Sequence, residues 1–133
     1  MHLRALYVII VSYDTENTVG RGCRVTENQI LLQEVLKEMR DIREIDIVHT
    51  QKNISTRYKL GLTIEDYEDI IRSIVLTDYY NGPCPDHNPT KGGYVWIFKK
   101  QYFTNVLYVK IKIIEKQEGK KQIKCISCHI DHE

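Results

Sequence analysis

Between Asn105 and Ile114 the chain alternates, with Leu107, Val109, Ile111 and Ile113 on one side and Tyr108, Lys110 and Lys112 on the other. That period of two predicts a half-buried strand whose wet face lines up a phenol and two ammonium groups. Tyr94 to Lys100 and Gln122 to Ile130 share the texture, joined through Thr104-Asn105 and Glu118-Gly119-Lys120, so an antiparallel meander is expected. Upstream the period lengthens. Thr26-Glu27-Asn28-Gln29 has the form of a capping box, and Leu31, Leu32, Val35, Leu36 and Met39 then form the stripe of a helix reaching about Asp41. Thr63 opens another helix, with Glu65 and Asp66 in the turn where the helix dipole favours them and Tyr67, Ile70, Ile71, Ile74 and Val75 as its apolar face. Between the two, Ile45, Ile47 and Val48 mark a short strand, and Asn53 to Leu60 a helical turn stopped by Gly61 in a left-handed conformation.

Two stretches lack a clear period. Asp78 to Gly93 holds Pro83, Pro85 and Pro89 among glycines and asparagines, which predicts a loop in place of a helix or a central strand. Residues 1 to 24 split into an apolar run and a polar, Gly-containing stretch, read as an edge strand and a loose linker outside the functional domain. The expectation is an α+β fold, an antiparallel β-sheet with two amphipathic helices packed on one face, in a single domain over residues 25–133.

Composition is consistent with that size. With 133 residues, 42% hydrophobic and 28% charged, one modest core is expected. The net charge of +1 conceals an asymmetry: residues 1–90 carry 10 Lys and Arg against 14 Asp and Glu, whereas residues 91–133 carry 9 Lys against 4 acids. The basic half coincides with the strands, where a polyanion is the natural partner. The apolar run Leu6 to Val11 is too short to span a bilayer and leads into Asp14 and Glu16, not into a cleavage site, so no membrane role and a cytoplasmic location are expected.

The four cysteines do not form a disulfide pattern. Cys125-Ile126-Ser127-Cys128-His129 matches a haem-attachment string and, with His132, resembles half a zinc site. In a regular strand, however, Cys125 and Cys128 face opposite sides and cannot grip one ion, so no metal and no cofactor are expected. His129, sharing a face with Cys125 and Ser127 and set beside Tyr108 and Lys110, is a candidate proton carrier, with His87 a weaker one. Trp96 and Tyr94 offer a stacking surface for a base, against the ordinary role of strand aromatics as core.

The strings Leu60-Gly61-Leu62-Thr63-Ile64-Glu65-Asp66, Asp78-Tyr79-Tyr80-Asn81-Gly82-Pro83-Cys84-Pro85-Asp86, Val95-Trp96-Ile97-Phe98, Leu107-Tyr108-Val109-Lys110-Ile111 and Cys125-Ile126-Ser127-Cys128-His129 together resemble the MqsR family of bacterial toxins. The resemblance runs from about Ile45 onward. It implies a RelE-like fold, metal-free cutting of mRNA, and inhibition by a cognate antitoxin that also binds DNA. Carried over by position, it places the active-site tyrosine at Tyr108, a lysine at Lys110 and the C-terminal basic residue at His129. Lys112 and Lys99 are then expected to anchor the RNA backbone, with Trp96, Tyr80 and Asn81 also binding RNA. Asn81 and Ile97 depart from the family's lysine and glutamine, and the rival reading is a catalytically silent RNA- or antitoxin-binding domain that keeps the fold.

Overall fold

The computed structural model describes residues 22–86 and 93–132, with side chains from residue 29 onward. The chain forms two compact units, Met1–Glu38 and Met39–Glu133, and the boundary falls within the first helix, α1 (Gly22–Asp41). Leu32, Leu36 and Met39 on α1 are buried at helical spacing, while Leu31 is exposed. Thr26 lies inside α1, which starts five residues before the place a capping box at Thr26 assigns it. The domain start expected at residue 25 falls inside the same helix; the expected strand lies outside the described residues, as does most of the expected linker, whose last three residues, 22–24, are helical.

The second unit is built on a five-stranded sheet in the order β1-β5-β4-β3-β2. Its strands are β1 (Glu44–Ile47), β2 (Tyr79–Pro85), β3 (Tyr94–Tyr102), β4 (Asn105–Glu115) and β5 (Lys121–Ile130). With the helices α2 (Gln51–Leu60) and α3 (Ile64–Arg72) this makes an α+β fold. The last three strands form the expected meander, but the sheet is mixed, because β1 joins β5 in parallel with Glu44 opposite Gln122. Short connections fix the direction of consecutive strands only, and β1 lies far from β5 in sequence. The proline-rich stretch read as a loop begins with a strand, β2, at the sheet edge. Pro83 and Pro85 fit there because an edge strand leaves part of its backbone outside the ladder.

Register explains the core. Trp96 lies opposite Ile111 and Phe98 opposite Val109, so these four share one face, and all are buried. Trp96 is therefore a core residue, 5% exposed, and presents no face to a base. Tyr94, by contrast, is exposed.

The helices have the caps their sequences encode. Thr63 accepts from the Asp66 amide at 3.1 Å while Asp66 accepts from the Thr63 amide at 2.8 Å, a reciprocal pair worth about 1 kcal/mol. Gly61 ends α2 at φ 67°, a left-handed conformation that a Cβ disfavours. Tyr67, Ile70 and Ile71 form the buried face of α3; Ile74 is buried just beyond its end, and Val75 is exposed because the helix has stopped at Arg72. Arg72 donates to the carbonyls of Met39, Ile42 and Arg43, satisfying groups at the end of α1 that have no helical donor.

Candidate functional site

Pairing between β4 and β5 slips by one residue. Lys110 lies opposite Ser127, but the next residue, Ile111, lies opposite Cys125, which leaves Ile126 as the extra residue of a β-bulge. The bulge shifts the phase of the strand. Ile123, Cys125 and Cys128 are all buried, and Cys125 and Cys128 pair with Ile111 and Val109 on the same face. The expectation that the two thiols face opposite sides therefore fails, because it assumed an unbroken period of two. Cys125 Sγ donates to the Ser127 carbonyl at 3.3 Å, and its hydrogen bond with Cys128, together with burial, holds its thiol well above the usual range. Both thiols are buried, and that of Cys125 stays protonated at neutral pH. Among the described residues no group of three or more His, Cys, Asp or Glu is placed to hold a metal ion.

Past the bulge, Ser127 and His129 share the other face with Lys110 and Tyr108, so the face expected to be common to His129 and Cys125 is split by the same extra residue. The Tyr108 and His129 rings stack with centroids 5.3 Å apart and planes 21° apart. His129 Nδ1 lies 3.1 Å from the Ile130 carbonyl; a carbonyl only accepts, so Nδ1 is the donor in this contact and Nε2 is not engaged by it. Burial is the main cause raising the Tyr108 phenol above its ordinary value, with Cys84, Tyr80 and Asp131 acting in the same direction. Tyr108 is therefore a hydrogen-bond donor at neutral pH.

One wall of the site comes from α2. Beyond Ile47 no strand of the described residues pairs with the edge of β5, and α2 covers it with side chains. Asn53 donates to the Ile126 carbonyl at 3.1 Å and accepts from the Cys128 amide at 2.9 Å, and Thr56 accepts from the Ile130 amide at 2.9 Å. Two polar residues one helical turn apart thus replace part of a strand ladder. Tyr67, buried on α3, donates to the Asn53 carbonyl at 2.8 Å. The result is an open cleft of about 570 Å³ between the β4/β5 face and the start of α2. Tyr108, Lys110, Ser127 and His129 line the sheet side and Thr50, Gln51 and Lys52 the helix side. Asp131 and His132 border it at the end of β5.

The expected residues are sorted by this geometry. Tyr108, Lys110 and His129 meet in one cleft, and Lys110 has no hydrogen-bond or ion-pair partner among the described residues. Lys112 does not join them. It is 7% exposed, its Nζ lies 2.8 Å from Asp86, and Gly93, at φ 79°, passes so close that a Cβ there would meet Lys112 Cε at 2.9 Å. The wet face of β4 is covered at that point, so the Lys112 ammonium is held by Asp86 and is not open to a backbone phosphate as expected. Lys99 is also engaged: it pairs with Asp131 at 3.1 Å and sits 4.0 Å over the Tyr80 ring, and the bond to Asp131 is the main cause raising its ammonium. Tyr80 is exposed, and the Asn81 side chain accepts from the Gly82 amide at 2.8 Å; neither lines the cleft. His87 lies outside the described residues.

Sequence reasoning missed the contribution of α2. The signal is present: no Asp or Glu occurs from Ile47 to Ile64, while Lys52, Arg57 and Lys59 do. Summing charge over residues 1–90 hid this cationic helix behind acidic neighbours. Comparison with protein-family models, with curated proteins and with solved structures finds no match for the chain.

Proposed function

We propose that the chain is the toxin of a type II toxin–antitoxin pair, an endoribonuclease that cleaves mRNA without a metal and is held inactive in the cytoplasm by a DNA-binding antitoxin. The observation that supports this most is the convergence of Tyr108, Lys110 and His129 on one open cleft, with Lys110 unpaired. Metal-free cleavage requires a base for the 2′-hydroxyl, a cation at the phosphate and an acid for the leaving oxygen. His129 Nε2 takes the 2′-hydroxyl proton. The freed oxygen attacks phosphorus, and the bond from phosphorus to the 5′-oxygen breaks. Lys110 faces the non-bridging oxygens, where negative charge grows as the fifth bond forms. Tyr108, whose burial keeps its proton, hydrogen-bonds the phosphate and supplies the proton to the departing oxygen. The products are a 2′,3′-cyclic phosphate and a 5′-hydroxyl, with no water consumed.

The test is incubation of the purified chain with a synthetic RNA in excess EDTA. Cleavage to cyclic-phosphate ends, abolished by 2′-O-methylation, is the expected result. RNA that is bound and stays intact would instead favour the silent binding domain. In cells, expression alone should arrest growth and co-expression of the antitoxin should relieve it.

A further inference from the structure

The main cleft does not end at His129. A second cleft of about 360 Å³ adjoins it, lined by Ser55 and Thr56 and sharing Gln51, Lys52 and His129 with the first. A groove therefore leads from the Tyr108 and His129 rings over the opening turns of α2. The two ends differ chemically. The sheet end offers the stacked Tyr108 and His129 faces, whereas the helix end adds an ammonium, two hydroxyls and an amide, and no ring lines it besides the shared His129. A ring suits a base; an exposed ammonium beside hydroxyls suits a sugar-phosphate backbone.

Lys52 is well placed for that role. It lines both clefts, is exposed, and has no ion-pair or hydrogen-bond partner among the described residues. The α2 segment Gln51–Leu60 contains Lys52, Arg57 and Lys59 and no acid, so no carboxylate on the helix competes for the ammonium. The backbone at Lys52 is fixed relative to the site, since the next residue, Asn53, bonds to Ile126 and Cys128 on either side of Ser127. Thr56 completes the attachment at Ile130, just past His129.

We infer that the substrate is a single strand of RNA that continues from the cleavage cleft onto α2, where Lys52 binds the backbone phosphate next to the scissile one. The inference rests on the ribonuclease reading and adds a subsite to it. A dinucleotide, which has one phosphate only, then lacks the Lys52 contact and is a poor substrate.

The experiment measures binding of a non-cleavable 2′-O-methyl oligoribonucleotide across a salt titration, and steady-state cleavage of the unmodified RNA. Lys52→Ala should lower affinity about fivefold at about 0.1 M salt and flatten the slope of log K against log salt by about 0.7, the share of one single-strand phosphate. KM should rise while kcat stays within about twofold, because the contact is uniform along the reaction. Lys52→Arg should restore both, and Lys120→Ala, which removes the same charge from the β4–β5 turn, should change neither. A methylphosphonate at one phosphate flanking the cut should mimic Lys52→Ala and add nothing to it. Cleavage by the wild type with affinity, slope and KM unmoved in Lys52→Ala overturns the subsite alone, as does an equal loss in Lys120→Ala. A wild-type chain that neither binds nor cuts RNA removes the ribonuclease reading and the subsite together.

Discussion

Lys110 and Lys112 leave β4 on the same side, two residues apart, and the fold puts them to opposite uses. Lys110 stands in an open cleft beside His129 with no carboxylate partner among the described residues. Lys112 lies under Asp86 and Gly93, its side chain 9% exposed and its Nζ 2.8 Å from a carboxylate oxygen. Alternation along a strand fixes which side of the sheet a residue faces; what covers that side is decided by other segments. An ammonium available to a phosphate and one that holds a chain crossing in place are indistinguishable in the local pattern.

The sharpest way to break the comparison is to remove each charge in turn. Lys110→Ala should reduce single-turnover RNA cleavage by about 10²- to 10³-fold, the loss typical of a missing charge stabiliser, with the urea midpoint unchanged. Lys112→Ala should do the reverse, destabilising the fold by about 3 kcal/mol through loss of the charged hydrogen bond to Asp86, with residual cleavage tracking the folded fraction. Equal stability of the two variants would show that the two lysines are equivalent after all. A double variant, Lys112→Met with Asp86→Leu, should recover most of that stability, because an apolar pair replaces an ion pair at little net cost.

A smaller effect is expected at the helix that walls the cleft. Asn53→Ala leaves the Ile126 carbonyl and the Cys128 amide without their side-chain partner, at roughly 1–3 kcal/mol for each group that water does not reach. Hydrogen exchange at Cys128 and Ile130 should speed up in this variant, while exchange at Phe98 in the sheet interior should change only as global stability does.

The smallest effect concerns pH. Burial raises the phenols of Tyr67 and Tyr108 above the ordinary value of 10.0, so between that value and their folded-state values the unfolded chain holds fewer protons than the native one. Stability is thus fully present below about pH 10 and falls as pH rises beyond it. Urea titrations from pH 8 to 11 should show this decline, and Tyr67→Phe should flatten it while costing about 1 kcal/mol at neutral pH for the lost bond to the Asn53 carbonyl.

Much of the architecture was legible in the sequence. The period-two runs of β3, β4 and β5, the Thr63 cap and the Gly61 stop are local signals, and local physics decides them. The meeting of Tyr108, Lys110 and His129 on one side of the sheet was also legible, for the first two from one strand's alternation. What escaped depends on partners distant in sequence. β1 joins β5 in parallel, Trp96 turns to the core opposite Ile111, and Asp86 caps Lys112 across the sheet. The bulge at Ile126 escaped for a different reason: an extra residue leaves no mark on composition, yet it reverses the parity of everything after it.

That single residue has a consequence for engineering the chain. It divides β5 into two segments with opposite in–out phase, and His129 reaches the solvent side only because the count is offset by one. Deleting Ile126 would remove the extra residue and join Cys125 to Ser127 in plain alternation, leaving His129 opposite Tyr108 on the solvent side, whereas straightening the full-length strand without a deletion would carry the imidazole and Ser127 into the interior and thrust Cys128 outward. The address of the imidazole is therefore written in the length of the strand as much as in its letters.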